Sequence, residues 1–358
     1  MGEQFQKNNS SLFDYFIVGQ GIAGSVLALQ LIEKRYTVCV INNSTLSKSS
    51  YVAAGIWNPV VFKRLTKSWM ADDIIPSLND FYKKSEILFN TSLITYRNII
   101  KPFTEKQEEL LWLKKSETEN NYLQNSVFEN YQLTHEIKIS SYSNVLEAGN
   151  INLHEFLNQT KKYLIDNFSY LDEEFLFSDL EITDEKIKYK NFYANRIIFC
   201  EGHLISKNPY FNWLPFKPAK GEVLTIYCEN LNLENDILNK GKFIMPLGNN
   251  TYKFGATYEW TNFNDEPTEK GLSELEEKLK TLINLPYTIL KHEAGVRPSV
   301  IDRRPVIGCH PKFKNIFVFN GLGTKGVMLA PYFANQFVEN LKNGTKLQVD
   351  VDISRFST

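Results

Sequence analysis

The chain has 358 residues, with 40 Lys and Arg against 41 Asp and Glu, for a formal net charge of -1 at pH 7. Near-neutrality excludes the global basic field of a nucleic-acid or anionic-membrane binder and leaves room only for a local patch. Hydrophobic residues at 43% and charged residues at 23% exclude extended disorder, and the length suits one large or two interleaved domains.

The opening MGEQFQKNNS is polar, without the apolar core of a signal peptide, and no later run reaches the ~18 apolar residues of a membrane helix. A soluble, cytoplasmic protein with no membrane partner is expected. The cysteines Cys39, Cys200, Cys228 and Cys309 have no CxxC spacing, and three sit in apolar strand-like runs, so buried reduced thiols are expected. The histidines are scattered, and no metal site is expected.

From Asp14 the order is strand DYFIVG, a glycine turn, a helix from about Ile22 to Lys34, and strand TVCVI. The helix is apolar on nearly every side until Glu33, so it must be buried against a sheet. Gly19, Gly21 and Gly24 form GxGxxG between that strand and helix. The first glycine permits the tight turn, the second lets a pyrophosphate approach the backbone, and the third lets helix pack on strand. A dinucleotide held at the amides of Ile22 and Ala23 is therefore expected. The acid that would grip the ribose should stand at the end of VCVI, where the chain has Asn42 and then Asn43. An amide oxygen still accepts a hydroxyl hydrogen bond but without charge assistance. A 2′-phosphorylated nicotinamide cofactor wants an arginine just after this strand; only Lys48 is near, so NADP is disfavoured.

Residues 63–144 turn amphipathic and rich in Lys and aromatics, as in SLNDFYKKSEILF and EKQEELLWLKK, and read as an insert over one face of the core. Lys63, Arg64 and Lys67 in KRLTKSW border the cofactor or an anionic substrate, or form a solvated helix face. A helix at about 152–167 precedes a strand meander ending in RIIFCEG, which returns to the first sheet. Next come the alternating strands GEVLTIYC, GKFIMPLG and NTYKFGATYEW of an antiparallel sheet, then a helix opening near Thr268 and Gly271. The segment NIFVFNGLGTKGVMLAP repeats the opening logic of strand, glycine turn and helix. The fold class is α/β with α+β character: a Rossmann-like domain from 10–62, 145–205 and 296–345, interleaved with a mixed or antiparallel-sheet substrate domain from 63–144 and 206–295.

Read in order, SSYVAAGIWNP, RIIFCEG, PAKGEVLTI, YKFGATYE, AGVRPSVIDRRPVIG and NGLGTKGVMLAP resemble the flavoprotein family of D-amino-acid oxidase, glycine oxidase and sarcosine oxidase. The resemblance runs from about Asp14 to Leu341 and implies FAD as cofactor. It places Ser50, Ala53, Ala54, Gly55 and Ile56 near phosphate and flavin, with Gly202 of RIIFCEG beside the cofactor. In GLGTKG, Gly321, Gly323, Thr324, Lys325, Gly326 and Val327 turn amides and a helix N-terminus toward the flavin. An NAD enzyme has no need of that second turn. Cys309 falls away from the linking thiol of sarcosine oxidases, so the flavin is expected to dissociate.

For the substrate, the resemblance assigns carboxylate clamping to Arg297, against a structural pairing with Asp302. Lys253 aligns with a lysine that promotes the reaction of reduced flavin with dioxygen; the competing reading is a surface lysine on an edge strand. Lys253, Gly255 and Thr257 are expected on one strand face, with Tyr252, Phe254 and Ala256 on the other. Phe243 stands where glycine and D-amino-acid oxidases carry a tyrosine hydroxyl. The implied activity is oxidation of a C–N bond in a small amine or amino acid, with hydride passing to flavin, imine hydrolysis, and reoxidation by dioxygen or another acceptor. A flavin domain acting on a tRNA wobble uridine, with 63–67 on phosphate, and a flavin-binding protein without turnover are the alternatives.

Overall fold

The computed structural model describes residues 12–43, 45, 49–134, 137–167 and 169–356; Lys48 and the polar first ten residues lie outside them.

Two large sheets organise the chain. In the eight-stranded sheet, Leu12–Val18 lies at the centre, paired in parallel with Val38–Asn42 on one side and Phe192–Phe199 on the other. Tyr170–Asp172 extends the first side in parallel. On the second side, Ile187–Tyr189 pairs antiparallel with the start of Phe192–Phe199, while Ile316–Asn320 pairs in parallel with its end. Parallel strands need both faces covered, which is why VCVI is apolar without alternation. The helix Ile22–Glu33, buried from Ala23 to Leu31, covers one face together with Leu153–Asp166 and Gly326–Asn343. Phe16, Phe199, Phe211 and Tyr189 fill the other.

The nine-stranded sheet runs in the order Thr288–Arg297, Ala219–Tyr227, Thr251–Gly255, Phe243–Gly248, Ile237–Asn239, Ile94–Phe103, Lys138–Ile151 and Ile56–Trp57, with Phe128–Gln132 also paired to Lys138–Ile151. Its pairs are antiparallel except Ile237–Asn239 with Ile94–Phe103. The helix Glu269–Lys280 is capped by Thr268, whose Oγ1 accepts from Gly271 N at 3.0 Å.

Three expectations are corrected. Residues 63–144 are more than an amphipathic cover, because Ile94–Phe103 and the start of Lys138–Ile151 are central strands of the second sheet. That sheet already takes Ile56–Trp57, ahead of the expected change at 62, and keeps the chain until Ile151, past the expected change at 145. SYSNVLEAGN is polar and carries Gly149, and long-range pairing overrides its weak strand preference. Finally, the strand holding Lys253 stops at Gly255, so its alternation does not extend to Thr257.

Candidate functional site

A cavity of about 730 Å³ lies between the two sheets, running from the first glycine turn past the second to Arg297. At its first end, Gly19 has φ +98, and a Cβ there would lie 2.6 Å from Cys200 O. A Cβ on Gly24 would sit 1.9 Å from Gly19 O, so Gly24 serves helix–strand packing and stands outside the cavity lining. Gly21, Ile22 and Ala23 line the cavity. The helix N-terminus has no capping side chain of its own; Ser50 Oγ, reaching across from Ser49–Val52, accepts from Ile22 N at 3.1 Å. A Cβ on Gly21 would approach Ser50 Oγ to 3.1 Å, so bare backbone keeps this cradle open. A helix dipole, a first turn of amides capped only at Ile22, and the Ser50 hydroxyl hydrogen suit a pyrophosphate. Ala53, Ala54, Gly55 and Ile56 continue the wall.

Asn42 has duties inside the protein. Its Oδ1 accepts from Gln20 N at 2.9 Å, and its Nδ2 lies 3.2 Å from the Tyr170 hydroxyl. The amide thereby ties the glycine turn to the neighbouring strand, and both Asn42 and Asn43 face the cavity. Asn43 Oδ1 also accepts from Thr45 N at 2.9 Å, closing a local turn. Gly202, with φ +58, lines the same end, and its carbonyl accepts from Asn320 Nδ2 at 3.0 Å.

At the second turn, Gly323, Thr324, Gly326 and Val327 line the cavity, whereas Gly321 and Lys325 do not. A Cβ on Gly321 would meet Val300 Cγ2 at 2.7 Å, so this glycine packs against the loop after Arg297. The Lys325 side chain turns away and donates to Ser68 Oγ at 2.7 Å. Burial and the nearby Arg304 cation depress its ammonium to about 8. Lys325, expected at the cofactor, thus places its cation behind the cavity wall.

Arg297 comes to the far end. Its Nη1 donates to Lys220 O at 3.2 Å, and Nη1 and Nη2 each reach Thr257 O at 3.3 Å. The Tyr258 ring lies 4.3 Å from the guanidinium carbon. Among the described residues no carboxylate pairs with Arg297; Asp302 binds Arg355 Nε at 2.8 Å instead. Gly221 and Gly295 face each other across the strand pair. A Cβ on Gly221 would lie 1.9 Å from Arg297 Nη2, and one on Gly295 would lie 2.8 Å from Ser49 Cα. Glycine inside these strands therefore lets the guanidinium lie flat across the sheet and the Ser49–Val52 turn dock beside it.

Phe243 lines the cavity opposite its strand partner Gly255. Lys253 lies on a central strand between Ala219–Tyr227 and Phe243–Gly248 and is buried, which overturns the edge-strand reading. It stands outside the cavity lining, one alternation step behind Gly255. Burial lowers its ammonium below the usual lysine range, partly opposed by Glu293.

Lys63 and Arg64 are exposed on the hairpin joining Val60–Val61 to Thr66–Lys67, so the run is no helix face and does not border the cavity. Lys67 pairs with Asp72 at 2.9 Å. All four cysteines are free, with Cys309 outside the lining. Among the described residues no His, Cys, Asp and Glu cluster could hold a metal, and no helix is long and apolar enough to cross a membrane.

Sequence reasoning missed Glu201, Tyr258 and the stretch Glu174 to Phe177, all on the cavity wall. Glu201 is held by Asn208 Nδ2 at 2.7 Å, and burial pushes its carboxyl up to about 7. Its signal was the acid directly between the strand and Gly202. Tyr258 was signalled by aromatic TYEW just past a strand end. The cavity accommodates FAD in kind: two helix N-termini whose own N-cap residues offer no side-chain cap, each opened by glycine, border one continuous space that ends at an arginine.

The FAD dependent oxidoreductase family matches residues 178–339. A glycine oxidase of Bacillus subtilis is 27% identical over 145 residues, 39% of this chain and 39% of that protein. A tRNA 5-methylaminomethyl-2-thiouridine biosynthesis bifunctional protein of Marinobacter nauticus is 23% identical over 203 residues, 52% of this chain and 31% of that protein. These matches span two fifths or less of the relatives' own length. Among solved structures, glycine oxidase from Geobacillus kaustophilus superposes with TM-score 0.76 at 18% identity, covering 97% of this chain and 98% of that one. Iminodiacetate oxidase from Chelativorans sp. BNC1 gives 0.75 at 16% identity, covering 96% and 98%. These structures share the fold.

Proposed function

We propose that this chain, which resembles the FAD dependent oxidoreductase family over residues 178–339, takes FAD as its cofactor and oxidises the C–N bond of a small amine or amino acid bearing a carboxylate. The observation that carries the reading is Arg297: a guanidinium on the cavity wall, held by backbone carbonyls and a ring, with no acid of the described residues to neutralise it. Buried cations without a partner are costly, so an anionic ligand group is the natural complement. The similarity to the glycine oxidase of Bacillus subtilis supports the substrate class.

The chain's own residues bind and orient. The amides of Ile22 and Ala23 with Ser50 would hold the pyrophosphate, and Gly323, Thr324, Gly326 and Val327 the flavin end. FAD when bound supplies a two-electron acceptor, restored by dioxygen or another oxidant. Arg297 would take the substrate carboxylate through a bidentate pair, fixing the adjacent C–H. Phe243 and Val223 exclude water beside it. A neutral substrate amine needs no side-chain base, and water hydrolyses the imine product. Lys253, buried behind Gly255, is assigned to promote reoxidation.

The test is anaerobic mixing of FAD-loaded protein with a panel of amines and amino acids, following oxidised-flavin absorbance. Arg297→Ala should raise the concentration of carboxylated substrate needed about a hundredfold, within the roughly 2–5 kcal/mol of a truncated buried charge pair, while flavin content stays constant. Flavin loss would make Arg297 structural. A second reading, action on an amine of a modified tRNA, rests on the similarity to the thiouridine biosynthesis protein and on exposed Lys63 and Arg64. Salt-dependent retention on tRNA supports it, and no binding at low salt removes it.

A further inference from the structure

We infer that Lys220 is a positioning residue for the anion site at Arg297, acting through the segment 257–268 rather than by touching the ligand; this rests on the carboxylate reading above. Lys220 is 0% exposed, an uncommon state for lysine, and it is absent from the cavity wall because its side chain leaves the strand on the opposite face from Gly221. A charge so placed needs partners, and it has them on one segment. Nζ donates to Asn264 Oδ1 at 2.7 Å and to the Glu266 carbonyl, with Glu222 Oε1 at 3.9 Å.

Glu222 completes the anchor. Its Oε1 accepts from Thr268 Oγ1 at 2.8 Å and its Oε2 from Thr268 N at 3.0 Å, while His292 Nε2 lies 2.8 Å from Oε2. A Cβ on Gly271 would come within 2.1 Å of that Oε2, so the glycine admits the carboxylate to the helix N-terminus. At the near end of the segment, Lys220 and Glu259 exchange backbone bonds of 2.9 and 3.0 Å, and Thr257 N donates to Glu222 O at 3.1 Å.

Every contact that orients Arg297 belongs to this assembly. Its two carbonyl acceptors are those of Lys220 and Thr257, and the ring over it is Tyr258. Asp265 of the same segment accepts from Val296 N at 3.2 Å, next to Arg297 in the chain. Tyr258 is 55% exposed, and its ring stacks on that of Trp260, itself exposed on the same segment, with centroids 6.1 Å apart. Backbone bonds at Thr257 and Glu259 hold the chain on either side of it, and the pull of Lys220 on Asn264 and Glu266 holds the rest of the segment against the sheet. Loss of the ammonium would loosen the segment beyond Glu259, leave Tyr258 held by backbone alone and let the guanidinium tilt, which weakens binding of a planar anion and little else.

The experiment uses full-length protein loaded with FAD, titrated with acetate and with its neutral isostere acetamide while flavin absorbance is followed. Lys220→Met should weaken acetate at least tenfold, leave acetamide within twofold, and leave the FAD dissociation constant within twofold. The exposed Asn264→Ala should weaken acetate several-fold in the same pattern, and it serves if Lys220→Met does not fold. Unchanged acetate affinity in the variants, or equal losses for acetate, acetamide and FAD, overturns the inference. A wild type that binds FAD but neither probe removes the carboxylate reading itself.

Discussion

Asn42, on the cavity wall, is held by two bonds inside the protein. Its oxygen holds Gln20 N and its nitrogen meets the Tyr170 hydroxyl, so an aspartate there would keep the first bond, and the hydroxyl could turn to donate. Asn42→Asp should therefore fold normally and bind FAD more tightly, about tenfold for one charge-assisted bond to ribose; an unchanged or weaker dissociation constant would show that the ribose lies elsewhere. Lys325 is a stability residue by its surroundings. Above about 8 the folded chain has released a proton that the unfolded chain still binds, so stability should rise with pH from there to the ordinary lysine range. Lys325→Met should stabilise at pH 7 and flatten that rise in denaturant titrations; a destabilised variant would mean the Ser68 bond outweighs desolvation. For Lys253, Lys253→Met should slow reoxidation of reduced flavin by dioxygen and spare anaerobic reduction. Equal effects on both half-reactions would remove the role. Arg297 and the glycines were legible as residue types, but Asn42's internal bonds and the orientation of Lys325 depend on partners over a hundred positions away in the chain, Tyr170 and Ser68.

Among the elements, those with strong local patterning were legible. The strand, glycine turn and helix from Leu12 to Glu33 combine continuous apolarity with GxGxxG, and Thr268 announces its helix by a side-chain cap. Lys138–Ile151 was not legible, since a polar strand is specified by its neighbours, here Ile94–Phe103 and Phe128–Gln132. The first turn gives the element-scale prediction. Gly24→Ala adds a methyl 1.9 Å from Gly19 O, far inside contact distance, against a helix-propensity gain of about 1 kcal/mol. Overpacking of roughly 1–3 kcal/mol with displacement of the turn should win, lowering Tm and flavin content together. A variant with wild-type Tm and full flavin would show that strand and helix can part without opening the cradle.

At the scale of the molecule, function arises where two sheets built from interleaved stretches of chain enclose one cavity. The α/β sheet supplies both glycine turns, and the nine-stranded sheet supplies Arg297, Gly221 and Phe243. The interleaving was readable because strand, glycine turn and helix recur near both ends of the chain. The rest of the wall was not, because Tyr258, Glu201 and Glu174 to Phe177 converge only through sheet packing. The most direct measurement is the anaerobic absorbance of FAD-loaded wild type and Arg297→Ala across a series of amines matched with and without a carboxylate. Bleaching of wild type by a carboxylated amine, with the variant retaining its flavin but demanding about a hundredfold more substrate, is the predicted result. Flavin that no amine bleaches, or bleaching that ignores both the carboxylate and Arg297, would contradict it.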